Sequence, residues 1–137
     1  MTTTDVHQLD WSIVPGPEVL PAPCSPSDRV VETIAEHSPE HVAQTLLSLP
    51  GVGLVQDSGD WWEWRARHRG RHDVFEITMT LFETQPPLWG GCELVGRPSA
   101  SGLAAFAEQV AAVLPGTYLH GSDARLYTLD GFRSQFS

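Results

Sequence analysis

The sequence predicts an α+β fold, a two-layer sandwich of an antiparallel sheet of four strands or slightly more with helices packed on one face. Two patterns predict it. Apolar and polar residues alternate from Trp61 to Leu81 around one glycine turn, and helical spacing appears both before and after that stretch. The turns between the central strands are too short for crossover connections, which excludes a parallel sheet.

Residues 1–26 read as a proline-rich arm, and residues 27–137 as a single α+β domain. Pro15, Pro17, Pro21, Pro23 and Pro26 forbid a regular helix in the arm. Leu9 to Val14 is expected either to dock as a short edge strand or to stay a mobile leader. Two short helices should follow. Ser25-Pro26 and Ser38-Pro39 each supply an N-cap followed by proline at the first helical position, where its missing N–H costs nothing. Val30, Val31, Ile34 and Ala35 would face inward from the first helix, and Val42, Leu46 and Leu49 from the second.

Val52 to Gln56 is the first expected strand of the domain, closed by the turn Asp57-Ser58-Gly59-Asp60. Trp62, Trp64 and Ala66 then fall on one face, with Glu63, Arg65, Arg67 and Arg69 on the other. Phe75, Ile77, Met79 and Leu81 alternate with Glu76, Thr78 and Thr80 across the Gly70 turn. Leu88 to Val95 supplies a fourth strand, and Gly90-Gly91 suggests a bulge within it. Leu103, Phe106, Val110, Val113 and Leu114 mark one face of the strongest helix, stopped by Pro115-Gly116. The tail, with Tyr118-Leu119, Leu126-Tyr127, Phe132 and Phe136, fits a strand plus a short terminal helix.

Charge narrows the function classes. Seventeen acidic residues against eight basic ones give −9, which opposes phosphate backbones and anionic membranes and favours a basic partner. All eight bases are Arg, and Asn is absent as well, as a GC-rich bacterial coding sequence would produce. An arginine here therefore need not have been selected for its fork geometry. The start of the chain lacks the features of a secretory signal, and no apolar run is long enough to span a bilayer, so a cytoplasmic location is expected. Cys24 and Cys92 fit no metal or redox spacing and are expected as thiols.

Several constellations invite chemistry and fall short of it. His37-Ser38-Pro39-Glu40-His41 matches a zinc-peptidase pattern, but that pattern needs one continuous helix and Pro39 starts a new one. Cys92 with His120 or His72, and the run His120-Gly121-Ser122-Asp123, could serve catalysis only if the fold brought the groups together. No catalytic residue, metal site or cofactor is therefore assigned.

Two surface features remain. Asp28, Glu32 and Glu36 recur every four residues, with Glu40 beyond the break, and like charges at that spacing destabilise a helix slightly. A basic partner would explain the stripe. Arg65, Arg67, Arg69 and Arg71 form a basic patch, expected to be a solvated outer face paired with Glu63 and Glu76. The acidity of the remaining chain argues against nucleic acid as its target.

The leading expectation is a non-enzymatic binding protein, monomer or homodimer, that engages a basic protein through Asp28, Glu32, Glu36 and Glu40. An immunity protein against a secreted toxin would have this size and charge. One alternative is an acidic secretion chaperone. Another is a small-ligand-binding protein or enzyme with a Trp-lined pocket between sheet and helices.

Overall fold

A computed structural model describes residues 5–17, 20, 22–26, 37–71 and 73–136. In chain order its elements are β1 (Trp11–Pro15), β2 (Cys24–Pro26), α1 (Pro39–Leu47), β3 (Val52–Gln56), β4 (Arg65–Arg69), β5 (Val74–Phe82), β6 (Leu88–Gly96), α2 (Ala100–Val113), β7 (Thr117–Gly121), β8 (Arg125–Tyr127) and α3 (Leu129–Gln135). The fold is α+β. Its antiparallel sheet has eight strands, in the order β2-β8-β7-β1-β6-β5-β4-β3, rather than about four.

The centre of the sheet forms where the alternation is strongest. β4 and β5 pair from Arg65 opposite Thr78 to Arg69 opposite Val74, and the turn closes with Gly70 N–H donating to Asp73 O at 2.7 Å. Phe75, Ile77 and Met79 are buried from β5, Ala66 and His68 from β4. The bulge lies where the glycines placed it: Thr80 opposes Gly91 while Leu81 opposes Trp89, so Gly90 is the extra residue. Gly91 has φ +144°, and a Cβ there would lie 2.9 Å from Ile13 O, so only glycine suits this approach of β1 to β6.

The additional strands come from the two ends of the chain. β1 was expected at an edge or loose, and instead lies inside the sheet, with Ile13 opposite Cys92 on β6 and Leu119 on β7. Its Trp11 and Ile13 are buried, and Trp11 Nε1 donates to Val6 O at 2.9 Å. Ser25-Pro26 does not start a helix, because it belongs to β2 and pairs with Leu126 and Arg125 on β8. The first expected helix, with Val30, Val31, Ile34 and Ala35, lies outside the described residues. The tail contains two strands before its helix, β7 and β8, followed by α3. At Gly131 a Cβ would fall 2.1 Å from Pro23 O, so glycine lets α3 pack tightly beside the approach to β2.

α1 starts at the expected cap, and α2 starts at a serine cap that the spacing did not mark. The Ser38 hydroxyl accepts from His41 N–H with Pro39 in the first turn, and the Ser99 hydroxyl accepts from Gly102 N–H. Val42 and Leu46 of α1 are buried, as are Leu103, Phe106 and Val110 of α2, whereas Val113 is 41% exposed because α2 ends there. Phe106 meets Phe75 edge-on at 5.2 Å, and Phe132 and Phe136 meet Trp11 edge-on at 5.1 Å each. One apolar cluster joins these groups to Trp64, Trp89 and Leu119.

The two tryptophans of Trp62-Glu63-Trp64 separate, contrary to the alternation. Trp64 is 1% exposed and Trp62 is 69% exposed. Period-two reasoning holds only inside a strand, and β4 does not begin until Arg65. Residues 61–63 form a turn, with Trp64 N–H donating to Trp61 O at 3.2 Å, so Trp62 is thrown outward. Trp64→Ala should cost about 3–5 kcal/mol, as large-to-small core changes do. Trp62→Ala should leave stability within about 0.5 kcal/mol. Urea unfolding of both variants checks the contrast.

Candidate functional site

The acidic stripe is described only at its end. Asp28, Glu32 and Glu36 lie outside the described residues, while Glu40 is exposed in the first turn of α1. His37 O, just before α1, accepts from Trp89 N–H at 2.9 Å, and Trp89 pairs with Leu81. Glu40 therefore stands near the end of the sheet where β5 finishes.

The arginines of β4 alternate outward, opposite Ala66 and His68. Glu76, facing them from β5, accepts from Arg67 Nη2 at 3.3 Å and lies 3.9 Å from Arg65 Nη1. The second expected partner, Glu63, does not reach them, because its carboxylate accepts from the Ser58 hydroxyl in the preceding turn. Arg65 also donates to Gln56 Oε1 of β3 at 2.8 Å. Arg69 and Arg71 are exposed and form no ion pair among the described residues. The four arginines are thus divided: Arg65 and Arg67 are engaged along the sheet, Arg71 stands in the turn beyond it.

His72 lies outside the described residues, and the other groups that could have formed a catalytic centre are kept apart. Cys92 is buried on one face of β6, and burial pushes its thiol up to about 12, which leaves it protonated near neutral pH. His120 pairs with Ser12, the strand neighbour of Ile13, so it belongs to the opposite face from Cys92. Ser122 Oγ accepts from Asp10 N–H at 3.0 Å, and Asp123 accepts from the Tyr127 hydroxyl. His120, Ser122 and Asp123 have separate partners despite their adjacency. His37 and His41 stack with ring centroids 5.5 Å apart. Among the described residues no group of three or more His, Cys, Asp or Glu side chains is placed to hold a metal.

The feature missed by the sequence reading is at the β3–β4 loop. Trp61, Trp62, Leu81, Phe82 and Pro87 line a groove of about 450 Å³, with Asp60 and Glu83 on its margin. The loop is held by short polar contacts. Asp57 Oδ1 accepts from Gly59 N–H and Asp60 Oδ1 from Trp62 N–H, both at 3.0 Å. Trp62 is therefore presented to solvent by a built turn. Phe82, and Leu54 and Val55 of the edge strand β3, are exposed nearby in the chain. The signal available in the sequence was the second aspartate: Asp60 two residues before Trp62 continues the turn that Asp57 begins. Comparison with protein-family models, curated proteins and solved structures finds no match to this chain. No described helix is long and apolar enough to cross a membrane.

On its inner face the hairpin carries an unusual core residue, His68, which is 7% exposed. It stacks on Phe75 at 4.8 Å and leans on Phe106 at 5.0 Å. Burial lowers its pKa below the ordinary 6.5, and the Asp73 carboxylate opposes part of that shift. The unfolded chain therefore takes up the His68 proton more readily than the folded one. The contribution is complete above pH 6.5 and is lost as pH falls through the folded value. Urea midpoints measured from about pH 8 to about pH 5 should fall toward acid, and fall less in His68→Gln.

Proposed function

We propose that this protein is a non-enzymatic binding module for a basic protein partner, docked on the Trp62 groove and steered by the surrounding acids. The observation that carries this reading is Trp62, 69% exposed on a turn fixed by its neighbours, beside a groove bordered by Asp60 and Glu83. An exposed indole has a cost in water and a use at an interface, where tryptophan is a frequent anchor. Its face attracts Arg and Lys side chains, by roughly 0.5–2 kcal/mol depending on desolvation. Asp57, Asp60, Glu63 and Glu83, all exposed, supply the complementary charge.

The wider charge layout supports the same partner. The chain carries −9, and Glu40 near the end of β5, with Asp28, Glu32 and Glu36 earlier in the chain, extends the acidic character beyond the groove. In this reading α1, α2 and α3 all cover the sheet face that carries Trp11 and Phe75. Arg65, Arg67 and Glu76 then remain in solvent on the other face as a partly neutralised strip. A toxin held inactive by an immunity protein would be one partner of this kind.

The test uses synthetic peptides of equal length, one rich in Arg and one rich in Glu, titrated by calorimetry. The Arg peptide should bind with an affinity that falls as salt rises. Trp62→Ala should weaken it about tenfold, and the Asp60→Asn, Glu83→Gln pair should flatten the salt dependence. Changing Asp28, Glu32 and Glu36 to Gln should slow association with less effect on dissociation. Equal binding of the two peptides, or full affinity in Trp62→Ala, would sink the proposal.

A further inference from the structure

A second cavity, of about 410 Å³, opens at the opposite end of the β4–β5 hairpin, between its turn and the start of α2. Its size falls within the range of small-molecule sites. The polar side chains on its lining include His68, Arg71, Asp73, Ser99 and Gln109, and Pro50, Ala105 and Phe106 supply apolar surface.

Two polar atoms of this lining are buried and have no hydrogen-bond partner among the described residues, His68 Nδ1 and Gln109 Oε1. Leaving such an atom unsatisfied is costly, so each asks for an explanation. At His68 the question is sharper. A side chain stacked on Phe75 and against Phe106 could be apolar with no loss of packing, yet an imidazole stands there. Gly70 leaves the ring edge open, since a Cβ at that position would lie 3.2 Å from His68 Cε1.

The charges around the cavity are graded. Gln109 Oε1 can only accept, and Asp73 adds a carboxylate that already receives the Ser99 hydroxyl at 2.7 Å. Neutral His68 can also accept through Nδ1. These groups call for hydrogen-bond donors. Arg71, exposed in the turn and without an ion pair among the described residues, calls for an anion. The start of α2 adds no free anion site, because Asp73 and the Ser99 hydroxyl already occupy it. A molecule with one charge of each sign satisfies all of these demands.

We propose that this cavity binds a small zwitterion, a free amino acid or a compound of the same make, with its ammonium toward Gln109 Oε1 and Asp73 and its carboxylate toward Arg71. Its side chain would rest on Pro50, Ala105 and Phe106. Filling the site supplies Gln109 with a donor and closes the open edge of His68. The site shares no residue with the Trp62 groove, so the two can be tested apart.

The experiment follows the His68 ring by NMR in isotopically labelled protein. The standard free amino acids are added in turn, up to about 10 mM, which detects dissociation constants in the millimolar range. For each one bound, the matching amine lacking the carboxylate and the matching acid lacking the ammonium are titrated as well. At least one amino acid should shift the ring resonances saturably, and both truncated forms should bind about tenfold weaker. Gln109→Leu should weaken binding about tenfold, and so should Arg71→Ser, whose exposed turn position leaves folding undisturbed. The proposal is overturned if no amino acid shifts the ring or if a truncated form binds as tightly as its parent. It is overturned equally if affinity survives in Arg71→Ser.

Discussion

The sheet depends on five residues near the start of the chain. β1 is the one strand that hydrogen-bonds to both β6 and β7, so it joins β2-β8-β7 on one side to β6-β5-β4-β3 on the other. Without it the facing backbone groups of β6 and β7 would have no ladder partner inside a packed sheet. The side chains reinforce the backbone. Trp11 meets Tyr127, Phe132 and Phe136 within 5.5 Å, which ties β1 to β8 and to the C-terminal helix α3. Removing β1 would therefore open a seam through the middle of the molecule.

With that seam closed, the sheet can spend its two surfaces differently. The face carrying Trp11, Ile13, Phe75, Ile77 and Met79 is buried, and the other carries Arg65, Arg67, Glu76 and Glu93. The two features that depart from this division, His68 and the Trp62 groove, stand at opposite ends of β5. His68 lies beside the start of β5 and the Trp62 groove takes in Leu81 and Phe82 at its finish, so the stretch from Val74 to Thr80, about 24 Å at roughly 3.4 Å per residue, separates the two sites. A rigid strand of that length sets their spacing while letting each be filled independently.

How much of this was legible depended on how local the signal was. The β4–β5 hairpin, the Gly90-Gly91 bulge and the Ser38 cap are each written within a few residues, and each was found. The place of β1 was not legible. Its partners are residues 92–94 of β6 and 117–121 of β7, and nothing in Trp11-Ser12-Ile13-Val14 names them; Pro15 pointed to an edge position, when it only ends the strand. At the groove the failure had another cause. Trp62 fits the same alternation as Trp64, and hydrogen bonds to Asp60 and Trp61 place it in a turn. His68 stands among the arginines of β4, and its position between Arg67 and Arg69 puts it on the buried side.

Joining the first strand to the last ones has a consequence in time. Ser12 and its neighbour His120 are 108 residues apart in sequence. As the chain leaves the ribosome, β1 emerges early and can pair on neither side until β6, and then β7, have followed. The β4–β5 hairpin can form at once from neighbouring residues. Trp11 and Ile13 therefore stay uncovered until β6 and β7 have been made, and the cooperative structure is completed only after β7.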